Sequence, residues 1–147
     1  MKSLLVSTAI LIGATMPSLA DITTKPSNKS VSDTVDALEA AVEGAGANVV
    51  ARVDHAGSAQ SVDLELAESQ LLIFGNPQLG TLPQQDDIRA GLMLPLRVLV
   101  YADADGNTQI AYEETAALFE GLDIPAEAEY LGKMNAALGK LTDKAAE

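Results

Sequence analysis

The residues best suited to chemistry are Asp54 and His55, a carboxylate beside the chain's single histidine. Such a pair could hold an imidazole as a general base or tune it as a ligand. Neighbours on a strand point to opposite faces, so the plainer reading is a strand-end pair that caps the following loop. One histidine is also short of the two or three imidazoles usual in zinc or copper sites. The chain has no cysteine, which removes thiol catalysis, disulfides and thiolate metal sites together. No metal site and no cofactor is therefore expected.

A second cluster is Gly75-Asn76-Pro77. Glycine lets a ligand approach the backbone closely, and free N–H groups at a following helix N-terminus attract anions. The alternative is a strand-to-helix turn in which Asn76 caps and Pro77 takes the first helical position. Gly80 and Thr81 follow closely enough to line the same concavity. Asp103, Asp105, Asn107 and Glu114 match some calcium-loop positions, but Gly106 falls where that loop does not place its glycine. A β-hairpin turn explains them better. Asp86-Asp87 and Glu113-Glu114 are adjacent acids, and sequence neighbours seldom face one cleft, so both read as solvated. No Gly-x-Ser-x-Gly elbow and no glycine-rich phosphate loop with lysine is present.

Composition narrows the partners. Lys and Arg total 9 against 21 Asp and Glu, a formal net charge of −12. That balance opposes a nucleic-acid footprint or a polybasic membrane surface. Aromatics at 3% leave no stacking platform for bases. Apolar residues at 48% of 147 support one packed core and argue against disorder.

The elements that must position these groups follow from pattern. Residues 1–20 read as a signal peptide: Lys2, an apolar run from Leu4 to Ile12, helix-breaking Pro17, and Ser18-Leu19-Ala20 before a cut. The run is shorter than the roughly 20 residues a membrane span needs. An exported, periplasmic protein without a stable membrane anchor is expected. Residues 21–29 read as an N-terminal arm or edge strand. Ser30 as N-cap opens a helix with Val31, Val35, Leu38 and Val42 at helical spacing, ended by Gly44 and Gly46. Asn48 to Asp54 reads as a strand. Ser61 to Ala67 alternates most cleanly, with Val62, Leu64 and Leu66 on one side and Ser61, Asp63 and Glu65 on the other. Leu71 to Phe74 is continuously apolar and predicts a central strand covered on both faces. Pro83 should limit the helix begun at Pro77. Arg97–Ala102 and Thr108–Tyr112 predict strands joined by an Asp105-Gly106 hairpin turn. A last helix from Ala126 carries a seam of Leu131, Met134, Leu138, Leu141 and Ala145. It could pack on the sheet or on a second copy, with Gly132 and Gly139 admitting another backbone.

Three stretches carry a resemblance: Ala51-Arg52-Val53-Asp54-His55-Ala56, Leu71-Leu72-Ile73-Phe74-Gly75-Asn76-Pro77 and Leu94-Pro95-Leu96-Arg97-Val98-Leu99-Val100. With Asp105-Gly106 and Tyr112, they resemble the bacterial and archaeal family called domain of unknown function 302, across Ser30 to the end. The resemblance implies a compact α+β domain, often a homodimer, without a settled activity. Glu113 and Gln78 stand where the family tends to Asn or Asp and to a basic residue.

The expectation is thus a single two-layer α+β domain over residues 30–147, mainly antiparallel sheet with packed helices, behind a cleaved signal peptide. The function expected first is a non-enzymatic domain, a homodimer, binding a small ligand or partner through Asp54, His55, Gly75, Asn76 and Tyr112. Its rivals are a small-metabolite enzyme using Asp54 and His55 as an acid–base pair, and an assembly partner in the cell envelope.

Overall fold

The computed structural model describes residues 22–147, so the signal-peptide expectation lies outside the described residues. Five strands form one antiparallel sheet in the order β1-β5-β4-β3-β2. They are β1 (Ile22–Ser27), β2 (Asn48–Asp54), β3 (Ser69–Gly75), β4 (Leu96–Ala102) and β5 (Thr108–Glu113). The expected α+β class and antiparallel sheet are found, and the arm expected over residues 21–29 supplies edge strand β1.

Helix α1 (Val31–Gly44) begins as its cap chemistry dictates: the Ser30 hydroxyl accepts the Asp33 N–H at 3.1 Å. Its apolar stripe of Val31, Val35, Leu38 and Val42 is buried. The last helix, α5 (Glu129–Ala146), starts three residues later than predicted. It packs on α1 and on the sheet, so its seam serves this chain's own core. Leu72, Phe74, Val98, Val100, Ile110 and Tyr112 point up from the strands into that core. A second, smaller core gathers Ala90, Leu118, Phe119, Leu131 and Met134 under the loops beside α5.

Several expectations are corrected. Ser61–Ala67 is no strand; it is an exposed arm between the one-and-a-half-turn helix α2 (His55–Gln60) and β3. Alternation marks a segment with two unlike faces, but β3 already pairs with β2 and β4 and leaves it no partner. β3 is covered on one face only: Leu72 and Phe74 are buried, whereas Leu71 and Ile73 are half-exposed. Pro83 does not end α3 (Pro77–Asp86), which continues to Asp86. A 3-10 helix (Ile88–Leu92) follows. Helix α4 (Thr115–Leu118) is a single turn. Gly132 and Gly139 face open space: a Cβ at either would meet nothing beyond its own helix.

Candidate functional site

The strand-to-helix turn at Gly75-Asn76-Pro77 opens a pocket of about 340 Å³. Asn76 is extended, and its Oδ1 accepts the Gln78 N–H at 2.9 Å, the capping role expected for it. Its oxygen is thereby committed, which leaves the carboxamide NH2 as the group Asn76 offers a ligand. A Cβ on Gly75 would stand 3.4 Å from Pro95 Cβ, so the glycine brings the backbone to the pocket wall without being forced by crowding.

The other walls come from distant parts of the chain. Val50 and Asn48 contribute from the start of β2, Leu79, Gly80, Thr81 and Gln84 from α3, and Leu94, Pro95 and Leu96 from the lead into β4. Met134 of α5, 1% exposed, forms the deep wall, and Gly91 of the 3-10 helix a further side. Gln84 Nε2 donates to the Gly80 carbonyl at 2.9 Å, holding that side chain along α3. A Cβ on Gly91 would come within 3.1 Å of Gln84 Oε1, so the glycine leaves room for the glutamine.

The electrostatics are simple. Four polar side chains line the pocket, Asn48, Asn76, Thr81 and Gln84, and all are neutral; none of the lining residues is charged. A charged ligand would lose hydration here with no ion to compensate it, which costs far more than burying a neutral group beside amides. The chemistry fits a small molecule that is mostly apolar and carries one or two hydrogen-bonding groups. Gly80 and Thr81 do join Gly75 and Asn76, as the sequence suggested.

Asp54, His55 and Tyr112 lie elsewhere. Asp54 ends β2 at the strand end away from the pocket, and Asp54 Oδ1 accepts the Gly57 N–H at 2.8 Å as the N-cap of α2. Its backbone carbonyl accepts the Ser58 hydroxyl at 2.7 Å. His55 is the first residue of α2, and among the described residues no hydrogen bond joins it to Asp54. Tyr112 points into the main core, with Lys25 Nζ 5.7 Å above its ring; that lysine also reaches Asp143 Oδ1 at 2.5 Å. Strand geometry separates these three from the pocket: β2 carries Asn48 and Asp54 at opposite ends, and Tyr112 sits two strands from Gly75.

The acidic loop Asp103–Asn107 closes as a hairpin. Asp103 Oδ1 accepts the N–H groups of Asp105 and Asn107, Oδ2 accepts from Gln109, and Gly106 takes φ 83°. These bonds, the Asn107 N–H foremost, hold the Asp103 carboxyl below its ordinary range. Among the described residues, no group of three or more His, Cys, Asp or Glu side chains is arranged to hold a metal ion. Pocket residues missed from sequence, Val50, Leu94, Leu96 and Met134 among them, carry no local signal, because only the fold brings them together.

The sequence model of the family described as "Domain of unknown function DUF302" matches residues 23–145. A crystal structure of an uncharacterized conserved DUF302 protein from Bacillus stearothermophilus superposes with a TM-score of 0.77 at 21% identity. That match covers 84% of this chain and 97% of that one. Two curated relatives are each 38% identical over 105 residues: the fluoride-specific ion channel FluC 1 of Brucella suis biovar 1 and that of Brucella abortus biovar 1. The match takes in 70% of this chain and 41% and 39% of theirs, so the chain spans about two fifths of the length of these relatives.

Proposed function

This chain belongs to the DUF302 family, and from that premise we propose that it is an exported, non-enzymatic, homodimeric domain binding a small, neutral, largely apolar molecule in the pocket beside Asn76. The observation that carries the reading is a mostly apolar pocket of about 340 Å³ whose polar side chains are all neutral. Ligand-sized pockets with a few fixed polar groups are the usual form of small-molecule sites. Export follows from the leader-like residues 1–20. The acid–base reading is the weaker one, since the Asp54 carboxylate is engaged in capping α2.

The test uses the neutral fluorescent probe N-phenyl-1-naphthylamine. Gly80 lines the pocket, and a Cβ there would meet nothing beyond its own helix, so Gly80→Leu puts a side chain into that space. The native chain should bind the probe, and Gly80→Leu should weaken it at least about tenfold, some 1.4 kcal/mol. Native mass spectrometry of the gently purified protein should show one extra mass per subunit. A native chain that binds no probe and carries no mass refutes the reading.

A second reading is favoured by the Brucella relatives. The stretch they share with this chain has, among the described residues, no helix long and apolar enough to cross a membrane. On this reading the chain is a free-standing counterpart of part of those proteins, acting beside a membrane protein. Co-purification of the chain with a membrane protein from its own host, lost on exchanging pocket residues, would favour this second reading over simple ligand carriage.

A further inference from the structure

We propose that the pocket is a composite site, closed by the Ser61–Glu68 arm of a second copy joined antiparallel along the β2 edge; this deepens the ligand-binding reading and rests on it.

Two apolar surfaces in this domain lack a cover. One is the arm, where Val62, Leu64 and Leu66 are 62%, 64% and 53% exposed and alternate with Asp63 and Glu65. Beyond Leu64, whose N–H reaches the Ala59 carbonyl at 3.0 Å, no hydrogen bond among the described residues involves Glu65, Leu66 or Ala67. The other surface lies beside the pocket: Ile88 and Leu92, on the 3-10 helix whose Gly91 lines it, are 77% and 78% exposed, and Val50, itself a lining residue, is 59% exposed at the β2 bulge between Val49 and Ala51. Isolated exposed apolar residues are ordinary, but two such clusters on a chain this acidic call for a partner surface.

The topology says which partner fits. β2 is an edge strand, with one row of backbone N–H and C=O groups unpaired. Its first residues, Asn48 and Val50, line the pocket, and its last, Asp54, leads through α2 into the arm. Pocket and arm therefore sit at opposite ends of one strand. Two β2 strands paired antiparallel about a two-fold axis bring the arm of each copy to the pocket of the other, and both sites close at once. A pairing centred on Ala51 sets Arg52 opposite Val50 and Asp54 opposite Asn48, so no like charges face each other.

Charge complements the fit. The arm carries Asp63, Glu65 and Glu68, and a second copy of a −12 chain repels acids over most of its surface. The pocket mouth has no carboxylate among its lining residues, and it holds the N-terminal turn of α3, where the helix dipole favours negative charge. Leu64 and Leu66 then supply the missing apolar wall, while Glu65, on the opposite face of the arm, stays in water.

The experiment is a cross-link. The chain has no cysteine, so Leu66→Cys with Thr81→Cys in one chain reports alone. The seven residues of β3 lie between the two positions, about 20 Å of strand, far beyond the reach of a bridge within one chain. Mild oxidation should give a covalent dimer, and Leu64→Lys/Leu66→Lys should give a monomer that binds N-phenyl-1-naphthylamine at least about tenfold more weakly. A native chain that sediments as a monomer overturns the proposal, as does a dimer without the cross-link, the result expected if two open sheet faces packed together. A monomeric double-lysine variant with full probe affinity overturns the composite site and leaves the pocket reading standing. A cross-linked dimer that binds no probe does the reverse, keeping the arm closure and removing the ligand.

Discussion

Arg89 folds back onto Asp87, its Nη2 2.5 Å from Oδ2 and its Nε 3.0 Å from Oδ1. The same carboxylate accepts the Arg89 N–H at 2.9 Å and the Asp123 N–H at 3.0 Å, so one side chain ties the start of the 3-10 helix to the loop before α5. The Arg89 guanidinium, with the two backbone N–H groups, holds the Asp87 carboxyl well below the usual carboxylate range.

A pH dependence follows from that geometry. A carboxyl whose folded-state pKa is depressed contributes stability that is present above its unfolded value, about 3.9, and lost as pH falls below it. The native chain should therefore lose melting temperature between pH 4 and lower values more steeply than Asp87→Asn. Thermal melts of both proteins from neutral pH downward check this, and parallel curves would refute it.

Tyr130 gives the alkaline counterpart. Its hydroxyl donates to Asp86 Oδ2 at 2.6 Å, and burial together with that carboxylate pushes the phenol up to about 12. A raised folded pKa favours the neutral form, so the contribution is intact below about 10 and is lost as pH rises through about 12. Tyr130 should ionise late in an absorbance titration, and Tyr130→Phe should remove that late step.

The two readings of Asp54 separate by substitution. Asn caps nearly as well as Asp, whereas Ala does not, so Asp54→Asn should be close to neutral and Asp54→Ala should cost about 1 kcal/mol. Gly57→Ala should resemble Asp54→Ala, because its Cβ would come within 2.7 Å of Asp54 Oδ2. Urea denaturation measures all three. Probe binding lost in Asp54→Asn at unchanged stability would return Asp54 to the site.

Gly132 and Gly139 are helical and face open space. Replacing each with Ala should raise stability by about 0.5–1 kcal/mol, since glycine in a helix interior costs about that much. If either change instead dissolved a dimer, α5 would be packing against a second copy.

Leu138 is 1% exposed in the core beneath α5. Leu138→Ala should cost about 2–5 kcal/mol in denaturant titration, and Leu138→Asp should prevent folding. A folded Leu138→Asp chain that merely failed to assemble would move that residue from core to interface.

Much of this architecture is local chemistry and was legible for that reason. Ser30 caps α1, Asn76 caps α3 and Asp105-Gly106 turns a hairpin, because each rests on bonds made within a few residues. The α5 seam was equally readable from its spacing, but its partner was not, since periodicity marks an apolar face without saying what covers it. The same gap misled the reading of Ser61–Ala67, whose alternation is real and whose neighbours are absent. Of the candidate site, Gly75 and Asn76 were visible as a turn. Met134 and Val50 were not, because they stand far apart in the chain and only the packed fold sets them on one pocket. Asp54, His55 and Tyr112 suggested a site by chemical type, and the strand directions place them away from it.

The pairing of β1 with β5 sets the order in which the molecule can be made. Ile22 lies opposite Glu113, so β1, the first of these five strands to be made, cannot find its neighbour until the hairpin that holds β5 has emerged. Closing a loop of that length is slow relative to the local hairpins and helices inside it. The nascent chain therefore carries an unpaired N-terminal strand through most of its synthesis, and the sheet is finished from its oldest end last.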